Sequence, residues 1–356
     1  MTNNALSCNM LISNNNMDLT RAKEIVDKFG QHKVLVVGDI VLDHYVHGVV
    51  ERINPEAPVP ILRATKEREE TGGAGNTAKN VASLGAETIL VSVVGNDDTA
   101  DVIKKTAAKE GYKAVLIRDP SRPSIRKTRH LVGNQHMLRV DYEETKDVDE
   151  EIEKQVIAAI KQEIADGVDA IIVSDYAKGS VTQKVAEAVL DEAGQRDILV
   201  GADVKPSRSG YFAGATFVSP NMKEAHEYLG LNHHEKQVPP EELAKMVYVK
   251  MCAEVYLTLG KDGIYIYSGG DTGQHVPQNN VIEIADESGA GDTSVAVLLL
   301  SMLSGSREKE AAELANAGGA VVVSKVGSVG ISTGELQEML SKNGVKEKEP
   351  VAVNEA

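Results

Sequence analysis

The run K-V-L-V-V-G-D-I at Lys33–Ile40 is apolar and β-branched at consecutive positions. That pattern suits a strand buried on both faces of a sheet rather than on one. Such a strand needs a layer on either side, and the chain downstream supplies the layers by alternation. Strands are expected at Thr88–Val94, Lys113–Ile117, Ala170–Ser174, Ile198–Ala202, Thr216–Val218 and Val255–Leu259. Helices are expected at Thr99–Glu110, Glu151–Ile164, Thr182–Ala193, Met222–Leu229 and Pro240–Cys252. This order favours an α/β architecture with a doubly wound, mainly parallel sheet. A helix at Leu19–Phe29 precedes it, Gly263–Tyr267 alternates and should pair antiparallel at an edge, and helices Ala290–Leu303 and Glu308–Lys325 close it.

Two pairs of segments depart from the pattern. Asp43–Val50 and Val59–Thr65 are short and half-polar, separated by a Pro-containing turn. Ser124–Val132 and His136–Asp141 read as a hairpin across Gly133-Asn134. Together they are expected to form a small β-sheet lid over the carboxyl edge of the large sheet. The expected organisation is a flexible, Asn-rich tail over 1–20, one domain over 21–340 with lid strands near 43–65 and 124–141, and a flexible charged tail over 341–356.

The formal charge of −15 over 356 residues argues against nucleic-acid and membrane-surface partners, which attract basic patches. No apolar stretch approaches the about 20 residues of a membrane span. The first residues lack the basic start and long apolar run of a secretion signal. Cys8 and Cys252 are too few for a disulfide framework, which fits a reducing, cytoplasmic setting.

The stretch D-E-S-G-A-G-D-T at Asp286–Thr293 lies between the strand-like Val281–Ile284 and an apolar helix. Backbone N–H groups of Gly289, Ala290 and Gly291 can converge on an anion at a helix start. Asp292 cannot bind phosphate itself, but a carboxylate beside an anion hole suits phosphoryl transfer to a hydroxyl, with Asp292 taking the proton. On these residues alone, a tight turn with a capping Asp explains the stretch equally well. The turn Gly72–Asn76 matches a dinucleotide fingerprint weakly, because charged Lys66–Thr71 precedes it where a buried strand should be. Asn76 is better placed to hydrogen-bond a polyol. Asp39 and Asp43 end the first strand; Asp43 is the candidate acceptor for sugar hydroxyl protons, Asp39 a turn or capping residue. Asn221 and Glu224 share a helix-start face and suit Mg2+ held through water, or an N-cap with its third-residue Glu. Thr258–Gly263 is either a phosphate-facing turn or a plain hairpin.

Taken together, these motifs resemble the ribokinase-like (PfkB-type) carbohydrate kinase family over roughly Lys33–Lys325. The pairing of Gly72–Asn76 with D-x-S-G-A-G-D at Asp286–Asp292 carries the resemblance. The likeness is closer to the heptose 7-phosphate kinases of the HldE/RfaE kind, on Ile53–Pro60, Gly133–Asp141, Ser174–Gly179 and Ser219–Glu224. It implies an ATP- and Mg2+-dependent kinase of D-glycero-D-manno-heptose 7-phosphate, acting at the anomeric hydroxyl, with a monovalent cation left open. Asp292 would be the base, with Gly289, Ala290 and Gly291 as the anion hole. Asn221, Met222, Lys223 and Glu224 would meet ATP phosphate and Mg2+, Thr258 and Gly260 would line the nucleotide, and Asn316 would lie near the base. Asp43, Gly72, Gly73 and Asn76 would hold the sugar. Its phosphate would fall to a few of Arg126, Lys127, Arg129, Arg139 and Lys178, with Arg139 and Lys178 singled out. A homodimer through the lid strands is implied as well. Bifunctional relatives carry a cytidylyltransferase-like domain after the kinase, and this chain ends before one would fit, so a stand-alone kinase is expected. Gly75, Lys79 and Asp203-Val-Lys205 depart from the group's usual residues. The competing readings are a kinase of another sugar, sugar phosphate or nucleoside, a non-catalytic binding module, and, more distantly, a nicotinamide enzyme.

Overall fold

The computed structural model describes residues 17–342 apart from 134, 234–237, 280–283, 326 and 328. The tails expected at either end, and most of the strand expected at Val281–Ile284, lie outside the described residues. In chain order the strands are β1 (Lys33–Gly38), β2 (Ile40–Ile53), β3 (Pro60–Gly73), β4 (Glu87–Gly95), β5 (Lys113–Asp119), β6 (Arg126–Val132) and β7 (Gln135–Tyr142). They continue as β8 (Ala170–Asp175), β9 (Leu199–Val204), β10 (Phe217–Val218), β11 (Glu254–Thr258), β12 (Ile264–Tyr267) and β13 (Gln274–Val276).

Nine of these form one sheet in the order β13-β12-β11-β10-β9-β8-β1-β4-β5. Every pairing from β11 to β5 is parallel, and β12 and β13 are antiparallel additions. The consecutive apolar residues of β1 serve both faces. Val34 and Val36 enter one core layer, with helices Leu19–Val26, Ala74–Ser83, Asp98–Lys109, Ala290–Leu303, Glu308–Val323 and Thr333–Lys342. Leu35 and Val37 enter the other, with helices Glu150–Ala165, Gln183–Arg196, Met222–Tyr228 and Pro240–Met251. Burying a Val or Leu side chain completely is worth about 1.5–3 kcal/mol, so a strand of this composition is held from both sides at once.

The chain leaves β1 towards β4 and β5, then returns to β8 on the opposite flank of β1. Reversal of strand order opens a crevice beyond the carboxyl ends of the strands, and ligands of such sheets bind there. The residues that follow β8, β9, β10 and β11 all border this edge.

The remaining strands form a small sheet in the order β3-β2-β6-β7, which brings the two expected pairs together. Its hairpins are antiparallel, while β2 and β6 run parallel. Strands β2 and β3 are longer than the sequence pattern suggests, at 14 residues each. Lys66–Thr71 belongs to β3, because a strand with one solvated face accepts charged residues. Gly72 and Gly73 therefore end a strand rather than form a free turn, and the strand they end is not one of the buried parallel set. Strand β13 was not expected and lies outside β12, so Ile264–Tyr267 is not the edge. Helix Thr333–Lys342 was also unanticipated.

Candidate active site

Helix Ala290–Leu303 starts from Gly289, whose φ of +81° is a left-handed conformation suited to glycine. A side chain there would also meet Asn76, since a Cβ would sit 2.8 Å from Asn76 Nδ2. The first-turn N–H groups of a helix have no intrahelical partner, which leaves the amides of Gly291 and Asp292 as donors at this edge, while that of Ala290 makes a long bond of 3.4 Å to the Glu287 carbonyl. Asp292, third in the helix, is only 5% exposed. Its Oδ2 accepts from Asn76 Nδ2 at 2.6 Å. Its Oδ1 accepts from the Thr77 hydroxyl at 2.8 Å and the Tyr176 hydroxyl at 2.9 Å. Burial raises the Asp292 pKa above the usual carboxylate value, and the three donors offset only part of that rise.

A carboxylate oxygen accepts two hydrogen bonds. Oδ1 already has two donors, so the open lone pair is on Oδ2. Next to it, Asn76 Oδ1 is buried and has no hydrogen-bond partner. Leaving such a group unsatisfied costs about 1–3 kcal/mol. Two acceptors on hydrogen-bonded side chains, each in the first turn of its own helix, match two hydroxyl groups of one ligand.

A cavity of about 510 Å3 adjoins Asp292 and is bordered by Asp203, Lys205, Asn221, Glu224, Thr258 and Gly260. This volume is in the range of small-molecule sites. Asp203 has its pKa pushed up to about 7, first by burial and then by the charges of Glu224 and Asp292. Lys261 borders the cavity as well, and Lys205 is the cation paired with Glu224. Its Nζ lies 2.7 Å from Glu224 Oε1 and 5.4 Å from the centre of the Tyr176 ring. Burial works against the Lys205 charge, but Glu224, Asp203 and Asp292 outweigh it and raise its pKa.

The raised Asp203 carboxyl has a consequence for stability. Its folded pKa exceeds the unfolded value, so the folded state holds the extra proton between the two and loses stability as pH rises through that window. Asp203→Asn should therefore raise the melting temperature of the ligand-free protein. The gain should grow from about pH 4 to about pH 7 and level off above. Melting curves at several pH values check this; a gain independent of pH would contradict it.

The structure brings many of the sequence-derived candidates together and sets others apart. Asn221 and Glu224 form a reciprocal capping box, with Glu224 N donating to Asn221 Oδ1 at 2.9 Å and Asn221 N to Glu224 Oε2 at 3.2 Å. They are an N-cap pair and a cavity wall at once. Met222 and Lys223, between them on the helix, do not border the cavity. Met222 packs on the core, and Lys223 turns outward to Glu227 at 3.8 Å. Thr258 bridges to Asn221, and Gly260 follows with φ +60°. Asn316 borders the cavity, yet its amide donates to the backbone carbonyls of Val276 and Pro277 at 3.0 and 3.4 Å, tying down the end of β13. Asp43 pairs with Arg129, and Gly72 gives it room, since a Cβ on Gly72 would lie 2.2 Å from Asp43 Oδ2. Gly73, at φ +59°, precedes the helix that carries Asn76. Arg139 pairs with Asp141 and Lys178 with Glu143, each at 2.9 Å, and neither borders the cavity.

Sequence reasoning missed Tyr176, Thr77, Asp203 and Lys205. The available signal was position: Tyr176 directly follows β8, Asp203 is next to last in β9 and Lys205 directly follows it, at the carboxyl edge where ligands bind. Among the described residues, no cluster of three or more His, Cys, Asp or Glu could cage a metal ion, and no helix is long and apolar enough to cross a membrane.

Residues 31–333 match the sequence model of the pfkB family carbohydrate kinase. The chain is 36% identical over 320 residues to the bifunctional protein HldE of Bradyrhizobium sp. (strain ORS 278), covering 89% of this chain and 65% of that protein. It is 36% identical over 310 residues to the HldE of Caulobacter vibrioides, covering 86% and 63% respectively. The chain thus spans just under two thirds of the length of these curated relatives. Among solved structures it is similar to phosphofructokinase-2 from Escherichia coli in complex with potassium, with a TM-score of 0.71 and 16% identity over 88% of this chain and 99% of that one. It is also similar to a ribokinase from Thermotoga maritima, with a TM-score of 0.63 and 18% identity over 87% and 99%. At these identities the structural likeness speaks for the fold alone.

Proposed function

Since the chain belongs to the pfkB family of carbohydrate kinases, we propose that it transfers the γ-phosphoryl group of ATP to the anomeric hydroxyl of D-glycero-D-manno-heptose 7-phosphate, giving the 1,7-bisphosphate. The observation that carries the phosphoryl-transfer reading is the open lone pair of Asp292 Oδ2 beside the side chain of Asn76 with its unpartnered Oδ1, each residue in the first turn of its own helix. The acceptor hydroxyl donates to Oδ2 and a neighbouring hydroxyl to Asn76. As the hydroxyl oxygen forms its bond to the γ-phosphorus, its proton passes to Asp292 and the bond to the β–γ bridging oxygen breaks, releasing ADP. Negative charge spreads over the oxygens of the transferring group, where the first-turn amides of Gly291 and Asp292 donate to it. Lys205 adds a cation on the nucleotide side.

Asp203, Glu224 and Lys205 together carry fewer positive than negative charges, so a bound triphosphate calls for a further cation. Asp203, Asn221 and Glu224 offer only oxygen donors and would hold Mg2+ through its water shell, which suits an ion that keeps much of its hydration. When bound, that ion offsets charge on the phosphates.

The small sheet supports a phosphorylated acceptor. Tyr45 on β2 lies opposite Arg68 on β3 and Arg129 on β6, and Arg129 lies opposite Arg139 on β7. Directly opposed residues share a face, so three arginines form one row. The guanidinium carbons of Arg68 and Arg129 lie 4.5 and 5.2 Å from the centre of the Tyr45 ring. Asp43 is two residues from Tyr45 on the same face, so a sugar hydroxyl and a remote phosphate can meet adjacent rows. Arg129→Met should raise KM for a sugar phosphate about tenfold or more, because charge-assisted contacts are lost. It should leave KM for ATP near its original value. An ADP-release assay reads both; an unchanged acceptor KM would contradict the arginine row.

The apolar residues Ile53, Val59, Met137 and Leu138 are exposed on or beside this sheet. They support pairing of two copies through it, which also protects strand edges.

A further inference from the structure

Asp39 follows β1 and is fully buried, yet it does not border the cavity. Its Oδ2 accepts from the backbone N–H of Tyr176 at 3.0 Å and of Lys178 at 2.9 Å, and its Oδ1 from that of Ser180 at 3.0 Å. One carboxylate thus gathers alternate amides of the segment that leaves β8. The segment needs such an anchor. Ala177 has a left-handed φ of +56°, a conformation that costs an alanine about 1–2 kcal/mol. Gly179 has φ +94°, and a Cβ there would fall 2.1 Å from the Lys146 carbonyl oxygen. Backbone in such conformations persists only where its surroundings over-determine it.

The neighbouring Asp175 adds to the anchor, accepting from Ala177 N at 2.8 Å. Its pKa is pushed up to about 8, by burial and then by the Asp39 charge. Arg208, whose Nε lies 3.9 Å from Asp175 Oδ2, offsets part of the repulsion between the two carboxyl groups.

The anchored segment delivers one side chain to the site. Tyr176 donates its hydroxyl to Asp292 Oδ1, while its own backbone N–H is held by Asp39. Thr77, the other donor to Oδ1, has a single hydroxyl proton and also lies 3.1 Å from the Ser174 hydroxyl. Tyr176 is therefore the donor that fixes which Asp292 oxygen stays open.

We infer that Asp39 and Tyr176 act as one positioning unit for Asp292: Asp39 fixes the 176–180 segment, so that the Tyr176 hydroxyl occupies Oδ1 and leaves Oδ2 for the acceptor proton. The inference rests on Asp292 being the base, as proposed above. It goes further in placing a buried residue outside the cavity in control of the base's geometry.

A double-mutant cycle on the full chain tests it. Tyr176→Phe and Asp39→Asn should each lower kcat by about tenfold, the size expected for losing a hydrogen bond to a charged group. KM for ATP and for the sugar phosphate should stay within about twofold, since neither residue is assigned to substrate binding. The double variant should be no slower than the slower single variant, because both changes remove the same contact. Losses that multiply to about a hundredfold, or KM changes at constant kcat, would overturn the inference. If Asp39→Asn does not fold, Gly179→Ala takes its place in the cycle, since it displaces the same segment from its far side. Asp292→Asn measured in parallel separates the two layers. Turnover near that of the unmodified protein would sink the base assignment and this inference together. An inactive Asp292→Asn with multiplicative losses in the cycle would sink this inference alone.

Discussion

Asp292→Asn is expected to lower kcat by about a thousandfold while leaving a folded protein, since general-base catalysis contributes about 10²–10⁴. The substitution preserves size and removes the group that takes the acceptor proton. Its cost to folding should be small for two reasons. The carboxyl is buried with a raised pKa, so a neutral group relieves desolvation. The Thr77 and Tyr176 hydroxyls can also rotate to accept from an amide. Binding of ATP should be little affected, because the base touches the acceptor side. Melting curves, nucleotide titration and steady-state turnover together make the test. A variant that melts normally and keeps near-original kcat would show that the proton goes elsewhere.

Lys205→Met should be the second large loss, with kcat/KM for ATP falling by about a hundredfold or more. Methionine keeps much of the apolar stem, so the effect isolates the charge. Lys205 pairs with Glu224 and lies within the fields of Asp203 and Asp292. Without it Asp203 and Glu224 lose the cation paired with them, and their charges repel a triphosphate. The Asp203 carboxyl, which Lys205 holds down, would rise further above its value of about 7. Isothermal titration with ATP and Mg2+, followed by turnover, checks the prediction. An unchanged affinity for ATP with unchanged turnover would remove Lys205 from the site.

The sequence was most informative where one residue pattern admits one structural use. The consecutive apolar residues of β1 demand two covered faces, and the structure supplies a core layer on each. The Gly289-Ala290-Gly291-Asp292 turn marks a helix start whatever its function. Short elements were harder to read. Strand β13 has three residues and no pattern of its own, and its end is secured by Asn316, 40 positions away. The charged stretch Lys66–Thr71 is no buried strand, as its composition requires, and forms part of β3, a strand with one solvated face. Tyr176 and Thr77 were invisible for a different reason. A hydroxyl carries no pattern, and these reach Asp292 across 116 and 215 residues of sequence. Met222 and Lys223 erred the other way: adjacency to Asn221 and Glu224 suggested a shared role, but consecutive helical residues point in different directions.

Steady-state turnover across a panel of acceptors tests the proposed substrate most directly. The panel should include D-glycero-D-manno-heptose 7-phosphate, common furanose phosphates, free sugars and nucleosides, with ADP release as the readout and phosphorus NMR of each product. The heptose 7-phosphate should give the highest kcat/KM and a new resonance from an anomeric phosphate. Turnover of a free sugar or a nucleoside with none of the heptose 7-phosphate would contradict the account.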